Sequence, residues 1–255
     1  MARLAGRTAI VTGGAKGIGS HYSRALAGEG ARVMIADIAD GSDFARDIDS
    51  KHGQGTALST ICDVSDESAV KDLVAKTVDA FGKIDILVNN AAMYVALKEQ
   101  PFTEIDVALW DRVMAVNVRG SFLMVKHVSR HMMKQRYGKI INIGSGTFFR
   151  GIPRMAHYVT SKGAVVALTR TLSRELGEHG ICINTLSPGF TLSETVVEHN
   201  QEHVNSSRAG AVQRRALKRD EHPTDLLGAL IFLSSSDSDF YTGQNLAVDG
   251  GAVNT

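Results

Sequence analysis

Short apolar runs alternate along the chain with longer segments whose apolar positions recur every three or four residues. The runs lie near positions 9–11, 33–36, 57–61, 84–88, 139–143, 181–186 and 246–248. Their length and β-branched content predict strands. The intervening segments 20–30, 66–81, 106–118 and 155–176 carry the helical period. Strands alternating with helices imply βαβ units and a parallel sheet covered on both faces. The expected fold class is α/β, a seven-stranded and mainly parallel sheet flanked by helices, in one domain over 1–255. Right-handed crossovers in such a sheet place ligands at the carboxyl ends of the strands. Asp37, Asn90 and Ser145 fall at those ends.

The first strand runs into Thr12-Gly13-Gly14-Ala15-Lys16-Gly17-Ile18-Gly19 and then into a helical segment. Strand, glycine turn and helix are the context of a dinucleotide site, and refine the class to a doubly wound Rossmann-type fold. Glycines let the backbone approach a pyrophosphate, and the helix N-terminus offers unpaired N–H groups. The spacing Gly-x-x-x-Gly-x-Gly is looser than the common Gly-x-Gly-x-x-Gly. The second strand ends at Asp37, eighteen residues past Gly19, where a carboxylate reads ribose hydroxyls. Such a carboxylate repels a 2′-phosphate, and Ile38-Ala39-Asp40 adds no cation. This pattern favours NAD, although Lys16 in the glycine turn keeps NADP open.

Tyr158 and Lys162 stand four residues apart on a predicted helix, with Ser145 thirteen residues upstream. Residues i and i+4 share a helix face, so the ammonium lies beside the phenol. A cation favours the ionised form of a phenol whose ordinary pKa is about 10. Tyr158 is then a candidate general base for an alcohol, and Ser145 a candidate holder of the reacting oxygen. Alone, Tyr-x-x-x-Lys reads as no more than a lysine lying over an aromatic ring, because the pattern is short and common. The glycine turn gives the pair its chemical context.

Together these residues resemble the short-chain dehydrogenase/reductase superfamily, in the family's order, from Leu4 to Gly251. The resemblance implies a catalytic tetrad of Asn117, Ser145, Tyr158 and Lys162. Asn117 would anchor a proton-relay water. The cofactor would meet Gly13, Lys16, Gly17, Ile18, Gly19 and Asp37. Asp63 and Val64 in Cys62-Asp63-Val64 would touch adenine, as would Asn90 and Ala91 in Asn89-Asn90-Ala91-Ala92, where alanine replaces the usual glycine. Tyr158 and Lys162 would also touch the cofactor. Pro188 and Gly189 would cover the nicotinamide. Thr191 stands where the family often has valine or isoleucine, and Ser193 where it often has threonine for the carboxamide. The segment 144–149 and the segment 153–163 look similar to the pyridoxal 4-dehydrogenase branch, and the chain also resembles aryl-alcohol dehydrogenases. A small cyclic or aromatic alcohol or carbonyl compound is the implied substrate class, and Tyr94, Ser145, Thr147, Phe148, Tyr158 and Phe190 are the expected substrate contacts. Phe149, Met155 and His157 are further candidates for the pocket wall. The other readings are an NADPH-dependent carbonyl or 3-oxoacyl reductase, and an NAD-binding sensor or scaffold without turnover.

Composition narrows the partners. Hydrophobic residues are 44% and charged residues 22%, with a formal net charge of +1, which gives no drive toward nucleic acid or a membrane surface. No apolar stretch reaches the ~20 residues needed to span a bilayer, and the first residues lack a signal-peptide core. Two cysteines, Cys62 and Cys182, have no close sequence partner and are expected as buried thiols in a reducing, cytoplasmic setting. The least regular region, 190–222, is expected to be a helical substrate flap, mobile without ligand and hinged at Gly189. Within it, His199-x-x-Glu202-His203 matches one zinc-protease pattern, but the dehydrogenase context favours a polar helix face and no metal. Asn205-Ser206-Ser207 fits a glycosylation sequon that has meaning only in a secreted chain. Arg214, Arg215, Lys218 and Arg219 read as a solvated or salt-bridged face. The long helices over 106–135 and 155–176 are the family's dimerisation surfaces, with Met114, Met124 and Val128 as candidate contacts. A homotetramer is expected.

Overall fold

The computed structural model describes residues 2–199 and 201–253, and of residues 199, 201–203 and 206 the backbone alone. Its strands are β1 (Thr8–Thr12), β2 (Arg32–Asp37), β3 (Ala57–Ile61), β4 (Ile86–Asn89), β5 (Gly138–Ile143), β6 (Ile181–Pro188) and β7 (Asn245–Val248). They pair in the order β3-β2-β1-β4-β5-β6-β7. Every pairing is parallel, from Thr8 opposite Arg32 to Pro188 opposite Val248. The expected sheet is therefore found, and it is wholly parallel. Order reverses between β1 and β4, which opens a crevice above their carboxyl ends.

The helices are α1 (Gly17–Gly28), α2 (Ser42–His52), α3 (Glu67–Phe81), α4 (Val107–Met114), α5 (Ser121–Gln135), α6 (Thr147–Arg150), α7 (Ala156–Leu176), α8 (Glu194–His199), α9 (Gln201–Arg214) and α10 (Pro223–Ser234). One apolar layer joins Tyr22, Leu26, Ile48, Leu226 and Leu230 to Val11, Ile35 and Val88 of the sheet. The opposite layer joins Leu73, Met124, Val128 and Leu176 to Ile10, Leu87 and Ile183. Central strands buried on both faces explain why they read as unbroken apolar runs.

Several helix starts follow from single residues. Asp66 accepts from the N–H of Ser68 at 2.8 Å and Asp106 from that of Ala108 at 2.6 Å, each capping the helix it precedes. Pro223 opens α10, where a missing N–H costs nothing. The helix expected over 106–118 does not stop there. It passes through a π-helical turn, Ala115–Gly120, straight into α5. No proline interrupts this stretch. Met124 and Val128 face the sheet and are fully buried, which corrects their reading as outward contacts. Cys62 is buried and Cys182 only half-buried, and both are free thiols. No described helix is long and apolar enough to cross a membrane.

Candidate active site

The glycine turn is shaped by close contacts that exclude side chains. Gly13 and Gly17 have φ of 59° and 53°, in the left-handed region that favours glycine. A Cβ on Gly19 would lie 1.9 Å from the carbonyl oxygen of Gly13. Asn90 braces the turn from the end of β4, its amide donating to the carbonyls of Thr12 and Gly13, each at 2.9 Å. Thr12, which sequence reasoning passed over, completes the brace by accepting from the N–H groups of Asn90 and Ala91 at 3.0 and 3.1 Å. Lys16, exposed, precedes α1, and no side chain caps that helix. Its first turn holds no acid, so the helix start suits an anion such as a pyrophosphate. Ile18 is partly buried and packs on the core.

Asp37 ends β2 beside this turn. Its carboxylate accepts from the N–H groups of Ala15 and Ala39, each at 3.1 Å. The acid is thus held in place by the turn it serves. Asp63 is exposed and accepts from the N–H and hydroxyl of Ser65 at 2.8 and 2.7 Å. The Val64 side chain is buried against the helix at Gly120, so it is not free to line the crevice. These features fit a dinucleotide: a side-chain-free cradle, an uncapped helix start and a fixed acid at the second strand.

The candidate reacting groups converge at the carboxyl end of β5. Ser145 is buried close enough to the Tyr158 phenol to oppose a rise in its pKa, and accepts from the Thr147 hydroxyl at 3.0 Å. The Tyr94 ring packs on the Tyr158 ring with centroids 4.9 Å apart. The Lys162 ammonium lies 5.7 Å from the Tyr158 ring centre and donates to the carbonyl of Ile143 at 2.7 Å. Asn117 sits in the π-helical turn, a feature that recurs at functional sites. Its side chain accepts from the N–H of Met93 at 2.7 Å and donates to Ser161 at 3.0 Å. It thereby fixes the loop that presents Tyr94.

Electrostatics here differ from the simplest reading of the sequence. Burial pushes the Tyr158 phenol well above its ordinary value, the nearby Tyr94 adds to the rise, and only the Ser145 hydroxyl opposes it. Burial also draws the Lys162 ammonium down to about 8. Desolvation therefore outweighs the i, i+4 cation in this state. A positively charged partner entering the site would shift the balance toward the phenolate.

The flap meets the site at several points. Pro188 accepts from the N–H of Gly146 at 2.8 Å, tying the end of β6 to the Ser145 loop. Ser193 is buried, and its hydroxyl lies 3.2 Å from that of Thr195. Thr195 in turn abuts Gly17, so α8 rests on the glycine turn. The Thr191 hydroxyl donates to Glu221 at 2.6 Å, so it faces that carboxylate. Gly189 is not a free hinge, because its N–H also donates to Glu221, at 3.0 Å. Val196, Val204 and Ala211 are buried, giving the flap more anchorage than its polar sequence suggests. Of the basic cluster, Arg219 pairs with Asp225 at 2.7 Å and Arg215 is buried against Glu221.

Other expected pocket residues divide between site and core. Phe148 is partly exposed, stacks edge-on against Phe149 at 5.0 Å, and leans on Gly163 of α7. Phe190 is partly buried. Met155 packs with Tyr158, Leu97 and Val113. His157 does not line a pocket: it is fully buried and accepts from the N–H of Tyr158 at 2.9 Å. The side chains of His199, Glu202 and His203 lie outside the described residues, and no metal-binding group occurs among those described.

Comparison with known proteins decides the family. A family model described as enoyl-(acyl carrier protein) reductase matches residues 13–253. The chain is a short-chain dehydrogenase/reductase. Among its relatives is the (2S)-[(R)-hydroxy(phenyl)methyl]succinyl-CoA dehydrogenase subunit of Thauera aromatica, 36% identical, with 96% of each chain covered. Another is the 3-oxoacyl-[acyl-carrier-protein] reductase of Thermotoga maritima, 33% identical over 98% of this chain and 99% of the relative. The crystal structure of a levodione reductase superposes with a TM-score of 0.90 at 30% identity, over 97% of this chain and 98% of that one. As a short-chain dehydrogenase/reductase, the protein is an oxidoreductase of CH–OH groups that uses a nicotinamide cofactor.

Proposed function

We propose that this short-chain dehydrogenase/reductase is an NAD-linked alcohol dehydrogenase whose general base is Tyr158. The observation that carries the reading is the buried Tyr158 phenol, packed against Tyr94 and flanked by Lys162. When bound, the nicotinamide supplies the hydride acceptor and, while oxidised, a positive charge. Ser145 orients the alcohol oxygen, and Tyr158 takes its proton. The Lys162 ammonium favours the phenolate that makes this transfer possible. Asn117 holds the neighbouring loop and, with it, Tyr94.

The fixed Asp37 carboxylate supports NAD, since it suits two ribose hydroxyls and repels a 2′-phosphate. The Tyr94 ring packed on Tyr158 suits a cyclic or aromatic alcohol, and the name of the Thauera aromatica relative contains a benzylic alcohol. An NADPH-dependent reductase is the second reading, favoured by the exposed Lys16 beside the Ala15 N–H that Asp37 binds. Steady-state titration with both cofactors separates the two. A panel of cyclic and aromatic alcohols followed at the reduced-nicotinamide absorbance tests the reaction itself. No turnover of any member would leave dinucleotide binding without catalysis.

The two directions should respond oppositely to pH. Oxidation needs the phenolate and reduction the phenol, so oxidation is expected to rise with pH and reduction to fall. Initial rates in both directions across about pH 6–10 check this. Parallel profiles would remove Tyr158 as the titrating group.

We also infer a homotetramer built on α4, α5 and α7. Met114, Ala115, Val118, Phe122 and Leu168, with Asp111 and Arg119 beside them, line one mainly apolar groove on these helices and the π-helical turn, and Phe122 is 43% exposed. Apolar surface of this kind favours association. Phe122→Asp is expected to lower the mass measured by light scattering. A monomeric parent protein at micromolar concentration would contradict the assembly.

A further inference from the structure

Three consecutive residues after β6 are held by two side chains from much later in the chain. Glu221 accepts from the Gly189 N–H at 3.0 Å and from the Thr191 hydroxyl at 2.6 Å. Arg215 donates to the carbonyl of Phe190, the residue between them, at 2.8 Å. The two clamping groups pair with each other at 3.1 Å. Both are almost wholly buried, Arg215 at 3% and Glu221 at 4% exposure. Arg215 further donates to the carbonyls of Asp249 and Arg219 at 3.2 and 2.9 Å. The fit is close enough that a Cβ on Gly189 would lie 2.5 Å from a Glu221 carboxylate oxygen.

A buried ion pair is weak as a source of stability, because desolvation offsets its attraction. Its worth lies in geometry: a carboxylate and a planar guanidinium fix the directions of the groups they bind. Here the fixed groups are the backbone of Gly189 and Phe190 and the hydroxyl of Thr191. This short segment leads from the sheet into the flap; its neighbour Pro188 bonds the Ser145 loop, and Ser193 reaches the glycine turn only through Thr195. We propose that Arg215 and Glu221 are positioning residues that preset the 189–191 segment for the nicotinamide half of the cofactor. The inference rests on the dinucleotide reading of the site. It adds that cofactor affinity depends on a buried pair that does not line the cradle. Preorganising the segment removes an ordering cost that binding would otherwise carry.

Three variants separate positioning from simple stability. Arg215→Met and Glu221→Gln each leave a buried group without its charged partner and should lower both Tm and NAD affinity. Arg215→Met/Glu221→Met removes both charges, and its Tm should recover toward that of the parent, since apolar replacement of a buried pair is often neutral or stabilising. Its NAD affinity should not recover. By calorimetry, Kd for NAD is expected to stay about tenfold or more above the parent value, the loss of two or three loop hydrogen bonds. The Gly189 amide should also exchange faster in the cofactor-free double variant. Arg208→Met, which breaks the exposed Arg208–Asp220 pair of the same flap, should leave Kd unchanged. Recovery of both Tm and Kd in the double variant would make the pair structural only and overturn the inference. If the single variants fail to fold, the double variant and the amide exchange decide the matter. A parent protein that binds neither NAD nor NADP overturns the dinucleotide reading and this inference with it. A parent that binds normally, beside a double variant that binds equally well, overturns this inference alone.

Discussion

Tyr158→Phe is expected to lower turnover by about 10²–10⁴-fold, the usual loss on removing a general acid–base group, while NAD binding stays close to that of the parent. The ring would keep its packing against Tyr94, at 4.9 Å between centroids. The phenolic oxygen would go, and with it the proposed proton acceptor for the alcohol. Because the hydroxyl is buried, no water readily takes its place. Steady-state kinetics beside calorimetric NAD titration give the two readouts. Turnover within a few-fold of the parent would remove Tyr158 from the mechanism. A loss of NAD binding equal to the loss of turnover would point to a binding role.

Changing Asp37 is expected to produce the second large effect. In Asp37→Arg the repelling carboxylate becomes a cation, and preference should move from NAD toward NADP. Charge-assisted hydrogen bonds contribute about 1.5–3 kcal/mol each, so NAD efficiency should fall by about ten- to a hundredfold. Asp37→Ala should shift preference in the same direction by less, since it supplies no cation for the 2′-phosphate. Asp37 also accepts from the N–H groups of Ala15 and Ala39, so either change loosens the turn. Asp37→Asn keeps an acceptor for those groups and removes only the charge. It should raise NADP use relative to NAD with little loss of Tm. A parent protein that already prefers NADP would instead assign cofactor choice to Lys16.

Much of the fold was legible because its signals are local. Seven apolar runs gave seven strands at nearly the expected positions, most plainly the central ones, which are buried on both faces and carry no polar alternation. The glycine turn announced itself by its place between a strand and a helix. Tyr158 and Lys162 share a helix face by spacing alone. Helix ends were less legible. The stretch 106–118 continued into α5 because its π-helical turn depends on tertiary packing around Asn117 and Val64.

The sequence by itself determined the α/β order, the glycine turn between β1 and α1, and the placing of Tyr158 and Lys162 on one helix face. Each is written in short-range period or spacing, and backbone geometry enforces it wherever the segment folds. Tertiary structure decided which way ambiguous residues face and what surrounds them. Met124 and Val128 turn to the sheet, and Asn90 braces the glycine turn. Tyr158 loses more to desolvation than the cation on its own helix offsets. Arg215, one of four closely spaced basic residues in a polar segment, becomes a buried clamp with Glu221 on Gly189, Phe190 and Thr191. Between Gly189 and Glu221 lie thirty-one residues with no period relating one to the other. Burial and partnership across such a gap are set by how the layers pack, and no local pattern in the chain encodes them.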